Sequence, residues 1–525
     1  MYADLAFVGG RALVRGAVRD VSVAVKGERI AEVGDIAVLI GPRTRVVELG
    51  HRLLIPAFHD AHAHPVWGGL ESLRCNLSGL PDLPAYRDAI VRYARGLPEG
   101  AWLTGAGWSM SVFPGGTPKA AQLDEACPDR PALLHNGDHH GAWVNSAALA
   151  IAGIDASTPD PVDGRIERDP DGTPTGTLHE GAVTLVTRHL PGSTAAEYEA
   201  GLRAGQAHMH ALGVAGWQDA ILGAYGGYED ASPAYRALAA SGELTARVCG
   251  ALWWDRALGA SQIESLVARR ASVGTFSTPM VKIMLDGVCE NFTAAMSSPY
   301  LCGRGSGLSF VDFAELPSYV EALAHNGFGV HFHAIGDAAV RAALDAVERC
   351  PSGVSAQIAH LQVVRPDDVP RFAKLGVTAN IQALWAHHEP QLDELALPFL
   401  GEERARWLYP FGDLARTGAP LAAGSDWPVS TADPWQAIHV AVNRSYAGGR
   451  VLLPEQRLDL ATALTAYTEG SARANGWRDT GIIAPGMLAD LAVLDRDPFA
   501  GPDDEIRLTQ VAQTYVGGRL VFERA

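Results

Sequence analysis

Eight short apolar runs, separated by stretches of helical texture, constrain this chain more than any other feature. They are LLIPAF (53–58), GVAGWQDA (213–220), ARVCGALWW (246–254), VKIMLDG (281–287), GVHFHA (329–334), SAQIAH (355–360), VTANIQ (377–382) and PLAAGSD (420–426). Strand–helix alternation of this kind builds a parallel sheet, and eight strands are the number that closes a (β/α)₈ barrel. The expected fold class is therefore α/β with a TIM-like barrel.

At 525 residues the chain has room for a second domain. VSVAVKGERIAEVG and RVVELG near the start, with DLAVLDRD and VAQTYVGGRLVFER near the end, read as short strands punctuated by glycine. The expectation is a small composite β-sandwich from residues 1–54 and 482–525, with the barrel at 55–481. Residues 66–212 break the strand–helix rhythm and read as an insertion after the first strand, covering the active site.

Composition narrows the class of function. The formal charge is 42 − 59 = −17, which argues against nucleic acid or an anionic membrane as the main partner. No apolar run is long enough for a membrane span, and the first residues lack the pattern of a secretory signal. Six scattered cysteines without a CxxC pair suit reduced thiols, so the expected location is the cytoplasm. The expected partner is a small-molecule substrate, with a homo-oligomer left open.

The motif with the most chemistry in it is PAFHDAHAHP. Alternate residues of a strand share a face, so His62 and His64 project to one side, close enough to hold one metal ion. His59, at an odd offset, points away. Other ligand-type residues fall where a barrel collects its catalytic groups, at the carboxyl ends of strands. His333 ends GVHFH, His360 ends AQIAH, Asp426 ends LAAGSD, and Lys282 lies within an apolar strand. His331 shares a face with His333 and is the weaker ligand candidate.

HDAHAHP, the strand lysine of VKIMLDG, HAIGDAAV, QIAHLQ, AGSDWP and GIIAPGMLADLAVLD together resemble the amidohydrolase superfamily. WVNSAAL, the TPDP…GTPTGTLHE segment and HAIGD place the resemblance near the branch of N-substituted formamide deformylases. The resemblance implies one or two divalent metal ions, usually zinc. It assigns His62, His64, Lys282, His333, His360 and Asp426 as ligands, with Lys282 matching a lysine that is often carboxylated. It also implies hydrolysis of an amide or formamide C–N bond by metal-bound hydroxide, with Asp426 as proton shuttle, His360 as the other catalytic residue, and the metal with a nearby imidazole stabilising the oxyanion.

Substrate-binding candidates lie elsewhere. They are Asp138 and His140, with His139 beside them, in HNGDHHGAW; Trp385 and His387, with His388, after the seventh strand; and Trp427 beside Asp426. Glu180, in GTLHEGA, could supply a further polar contact, but reads first as a solvated helix carboxylate. DGVCENFTAAM departs from the serine- and arginine-bearing version found in relatives, which leaves the substrate open. The rival readings are a biosynthetic cyclase performing dehydrative ring closure, of benzoxazole type, and a barrel kept as a non-catalytic scaffold.

Overall fold

The computed structural model describes residues 2–351 and 353–525, and eight parallel strands in it follow one another around a barrel. They are β1 (Phe58–Ala63), β2 (Val214–Leu222), β3 (Arg247–Trp253), β4 (Phe276–Met284), β5 (Gly329–Ala334), β6 (Ala356–His360), β7 (Thr378–Ile381) and β8 (Leu421–Ala423). Each strand pairs with the next in sequence order. The seam between β8 and β1 closes just beyond the end of β8. There the Asp426 N–H donates to the His62 carbonyl and the His64 N–H to the Trp427 carbonyl, both at 2.7 Å. The Asp60 carboxylate adds a stitch, accepting from the backbone N–H of His62 at 2.9 Å and of Ser425 at 3.1 Å. Only glycine fits at 424, because a Cβ there would stand 2.6 Å from that of His62.

Alternation along the strands sorts side chains between two environments. In β5, Val330 and Phe332 join the large apolar cluster, while His331 and His333 alternate with them onto the barrel interior. Each apolar side chain buried this way contributes on the order of 1.5–3 kcal/mol. That layer sustains an interior carrying many polar groups.

The run at 53–58 is not one barrel strand. Leu53–Pro56 pairs with Arg11–Val14 and with Leu491–Leu494 in a six-stranded sheet made from both ends of the chain. The chain changes sheets at 57 and 58, where the Ala57 N–H donates to the Asp490 carbonyl and the Phe58 N–H to that of Gly213. Pro56, with no N–H to donate, is the last residue of the first ladder's strand, opposite Leu491. The fourth strand is likewise displaced, ending at Met284. Beyond it the Asp286 carboxylate leaves the ladder to accept from the N–H groups of Ala295, Ile335 and Gly336.

A four-stranded sheet (Leu5–Val8, Ser22–Lys26, Arg29–Gly34, Arg45–Glu48) faces the six-stranded one. Phe7, Val23, Leu54, Leu491 and Tyr515 share the core formed with it. Between β1 and β2 lies a further six-stranded sheet, reaching from Cys75 to Glu180. Helices α1 (Pro65–Ser72) and α2 (Ala195–Ala211) flank that segment and pack on one another. They approach so closely that a Cβ on Gly69 would lie 1.8 Å from the Gly201 carbonyl oxygen. The start of α2 is fixed by a reciprocal cap between Thr194 and Glu197. Among the described residues no helix is long and apolar enough to cross a membrane.

Candidate active site

The carboxyl ends of β1 and β8 bring His62, His64 and Asp426 together. One potential ligand atom from each falls within a 4.8 Å cluster, and all three residues are buried. Asp426 Oδ1 lies 3.2 Å from His62 Nε2 and 3.1 Å from His64 Nε2. Lys282 reaches in from β4, with Nζ 3.3 Å from His62 Nε2. His360, at the end of β6, has Nδ1 3.9 Å from Asp426 Oδ2, and this nitrogen has no hydrogen-bond partner. His333 is more distant from the cluster. Its ring lies 4.4 Å from that of His360, and its Nε2 sits 3.2 Å from the Gly287 carbonyl and 3.6 Å from Asp286.

This donor set fits a divalent cation. Two atoms bound tetrahedrally at about 2.0–2.1 Å from one ion stand about 3.3 Å apart, close to the spacings around Asp426. A buried imidazole nitrogen without a partner is the second mark of fit. Burial, reinforced by neighbouring positive groups, holds His62, His333 and His360 well below the ordinary imidazole range. Neutral imidazole is the ligating form. For Asp426, burial works upward, but the hydrogen bond from His64 and the surrounding positive groups bring it down to about 2. Burial pushes the Lys282 amine down to about 7.

His331 supports the centre from within. Its Nε2 lies 2.8 Å from His62 Nδ1, and Gln218 donates to its Nδ1 at 2.7 Å. Gln218 accepts from Gln357, Gln357 accepts from Asn380, and Asn380 accepts from Gln382, whose Oε1 receives the His360 N–H at 2.6 Å. This buried chain of amides ties the orientation of one imidazole to the backbone of another. The alternation of Gln357, Asn380 and Gln382 with apolar neighbours was the available sign of it in the sequence. His59 does point away, towards Thr480 Oγ1 at 3.1 Å.

The inserted sheet contributes His140, whose ring lies 5.3 Å from that of His333. Its Nδ1 is 2.9 Å from both oxygens of Glu180. Glu180 is thus not a solvated helix carboxylate. It ends a strand, is buried, and also accepts from Thr293 and Asn291. Sequence neighbours could not reveal this, because both of these donors, Thr293 and Asn291, come from the loop after β4. Burial pulls the His140 imidazole down, but the Glu180 charge outweighs it and holds it at about 9. His139, at φ 63°, pairs with Glu71 at 3.1 Å. His360, Asp426 and Glu180 also have positive φ, at 80°, 57° and 52°. Such residues cost on the order of 1–3 kcal/mol each and cluster at functional sites.

Above the cluster opens a cavity of about 950 Å³. Trp385, stacked on His360 with centroids 5.3 Å apart, lines it, as do Trp427, Asp138 and His387. His62, His64, His140, Lys282, His333, His360 and Asp426 are not among the residues that line it, and Trp385 is the link between the two. His388 does not reach the cavity and instead pairs with Asp393 at 2.6 Å.

The sequence model of the amidohydrolase family matches residues 45–522, nearly the whole chain. The chain belongs to that family. It is an enzyme, a hydrolase acting on C–N bonds. This amidohydrolase is 30% identical over 495 residues to the putative amidohydrolase YtcJ of Bacillus subtilis (strain 168), covering 92% of each chain. It is 28% identical over 528 residues to the N-substituted formamide deformylase of Arthrobacter pascens, covering 96% of this chain and 95% of that protein. Among solved structures it resembles an uncharacterized metal-dependent hydrolase from Pyrococcus horikoshii OT3. The TM-score there is 0.75 at 26% identity, covering 95% of this chain and 99% of that one.

Proposed function

We propose that this amidohydrolase cleaves an amide or formamide of a small-molecule amine, using a divalent cation held by His62, His64 and Asp426. Imidazole and carboxylate donors suit zinc, with Lys282, His333 and His360 positioned for a second ion. A bound cation supplies Lewis acidity there, polarising a carbonyl and lowering the pKa of water. The observation that carries the reading is Asp426 Oδ1 between two imidazole nitrogens, at 3.1 and 3.2 Å, at the closing seam of the barrel.

The chain's own groups then divide the work. Asp426, ionised at neutral pH, accepts a proton from the attacking water and returns one to the leaving amine. The His140 imidazolium, held by Glu180, offers an N–H to the oxygen that gains charge. Trp385 and Trp427 exclude water above the reacting bond. Resemblance to a formamide deformylase supports the formyl group as one acyl portion. The test is a panel of N-formyl and N-acyl amines presented to the purified enzyme, with metal content measured on the same preparation. Metal bound at no more than trace levels, with turnover intact, would defeat the reading.

A further inference from the structure

We propose that the substrate is cationic at its far end, an amide whose amine portion carries a second nitrogen as an ammonium group. This rests on the hydrolase reading above and specifies its substrate class. The residues lining the cavity include four carboxylates, Glu71, Asp138, Glu290 and Glu389, and no lysine or arginine. Two of the four are already engaged. Glu71 pairs with His139 and accepts from the Tyr228 hydroxyl, and Asp138 accepts from the His140 N–H.

Glu290 and Glu389 are different. Gln362, at 3.3 Å, is the one side-chain hydrogen-bond partner of Glu290 among the described residues. Glu389, half-buried like Glu290, has no hydrogen bond or ion pair from its carboxylate among them. Burial, and after it the repulsion of other carboxylates, raises both to about 7. Asp138 acts on Glu290, and Glu290 in turn acts on Glu389. No arginine acts on either glutamate: Arg450 pairs with Asp393, and Arg444 donates from Nε and Nη1 to the carbonyls of Leu452 and Tyr409.

Half-buried carboxylates in a cavity whose lining holds no lysine or arginine are stabilised by a ligand that brings positive charge to them, beyond what the more distant His140 imidazolium supplies to Glu290. The same cavity presents Trp385, Trp427, Tyr409 and Tyr446, whose ring faces attract a desolvated cation. Glu290 follows β4, Glu389 follows β7, and Trp385 connects that wall to His360. A substrate lying along the wall would place its ammonium by the glutamates and its amide towards the Asp426 cluster.

The experiment compares three formamides of similar length: N-(5-aminopentyl)formamide, N-hexylformamide and 6-formamidohexanoate. The expected kcat/KM for the cationic compound exceeds that of the neutral one by about tenfold or more, with the anionic one slowest. In the Glu290→Gln/Glu389→Gln variant the cationic-to-neutral ratio falls close to unity. Calorimetry of 1,5-diaminopentane against pentane-1,5-diol, on protein before metal addition, reads the same recognition without turnover. Binding of the diamine alone, lost in the double variant, is expected. A neutral compound cleaved as fast as the cationic one, or a preference that survives both substitutions, overturns the inference. If the double variant does not fold, the wild-type ratio and calorimetry still decide. Glutamate-dependent diamine binding with none of the formamides cleaved would sustain the cation site and defeat formamide hydrolysis instead. Absence of both diamine binding and the cationic preference would defeat the cation site.

Discussion

Asp426 and His62 are joined twice: the Asp426 N–H donates to the His62 carbonyl at 2.7 Å, and its carboxylate Oδ1 lies 3.2 Å from His62 Nε2. The backbone contact closes the barrel and the side-chain contact assembles the site, so one geometry serves both. Asp426→Asn keeps the shape but cannot accept a proton. Steady-state kinetics should show kcat lowered by about 10²-fold or more, with KM changed far less. An effect confined to KM would assign Asp426 to substrate binding alone.

Lys282 is expected to react with CO₂ and bridge two cations as a carbamate, because burial brings its amine down to about 7 and leaves much of it neutral at physiological pH. Its neighbour is His62 Nε2 at 3.3 Å, while Asp286 is committed to three backbone N–H groups. Lys282→Ala should lose about one equivalent of metal, restored in part by short carboxylic acids. Elemental analysis, and ¹³C NMR after growth in labelled bicarbonate, provide the check.

Glu180→Gln should release the His140 imidazolium. The Glu180 charge raises His140 to about 9 against the pull of burial, so its loss moves that titration to lower pH. With His140 acting as a donor, the alkaline limb of the kcat/KM profile follows it downward. An unmoved limb would show that His140 is structural.

Asp490 clamps the terminal sheet to the base of the barrel. It accepts from Arg247 Nε and Nη2, at 2.7 and 3.1 Å, together with the Thr480 hydroxyl and the Gly517 N–H. Asp490→Asn leaves Arg247 half-buried without its charge partner and should cost about 3–5 kcal/mol in chemical denaturation. Burial alone would raise the Asp490 pKa, but the hydrogen bonds and charge of Arg247 prevail and lower it beneath 3.8. A depressed carboxylate stabilises fully above its unfolded value and loses that contribution as pH falls through the folded one. The gap between wild type and variant should therefore narrow below about pH 3.8.

Local periodicity made much of the barrel and cluster readable before any coordinates. The spacing of two in HAH puts two imidazoles on one face of β1, and the same alternation turns His331 and His333 inward on β5. Where the reading failed, the deciding contact was non-local. LLIPAF is uniformly apolar, and only the partners of Ala57 and Phe58 show where the chain leaves one sheet for the other. Glu180 carries no local sign of burial, since Thr293 lies 113 positions away.

By itself the sequence determined which residues could ligate, accept protons and face a common interior, because side-chain chemistry and strand period are local properties. The tertiary structure alone decided which of them meet. It put Asp426 between His62 and His64 through a seam spanning 362 residues, and Glu290 and Glu389 in a cavity lined by no lysine or arginine. Distance, burial and the pKa shifts they cause arise only when remote segments pack together, and no local pattern encodes them.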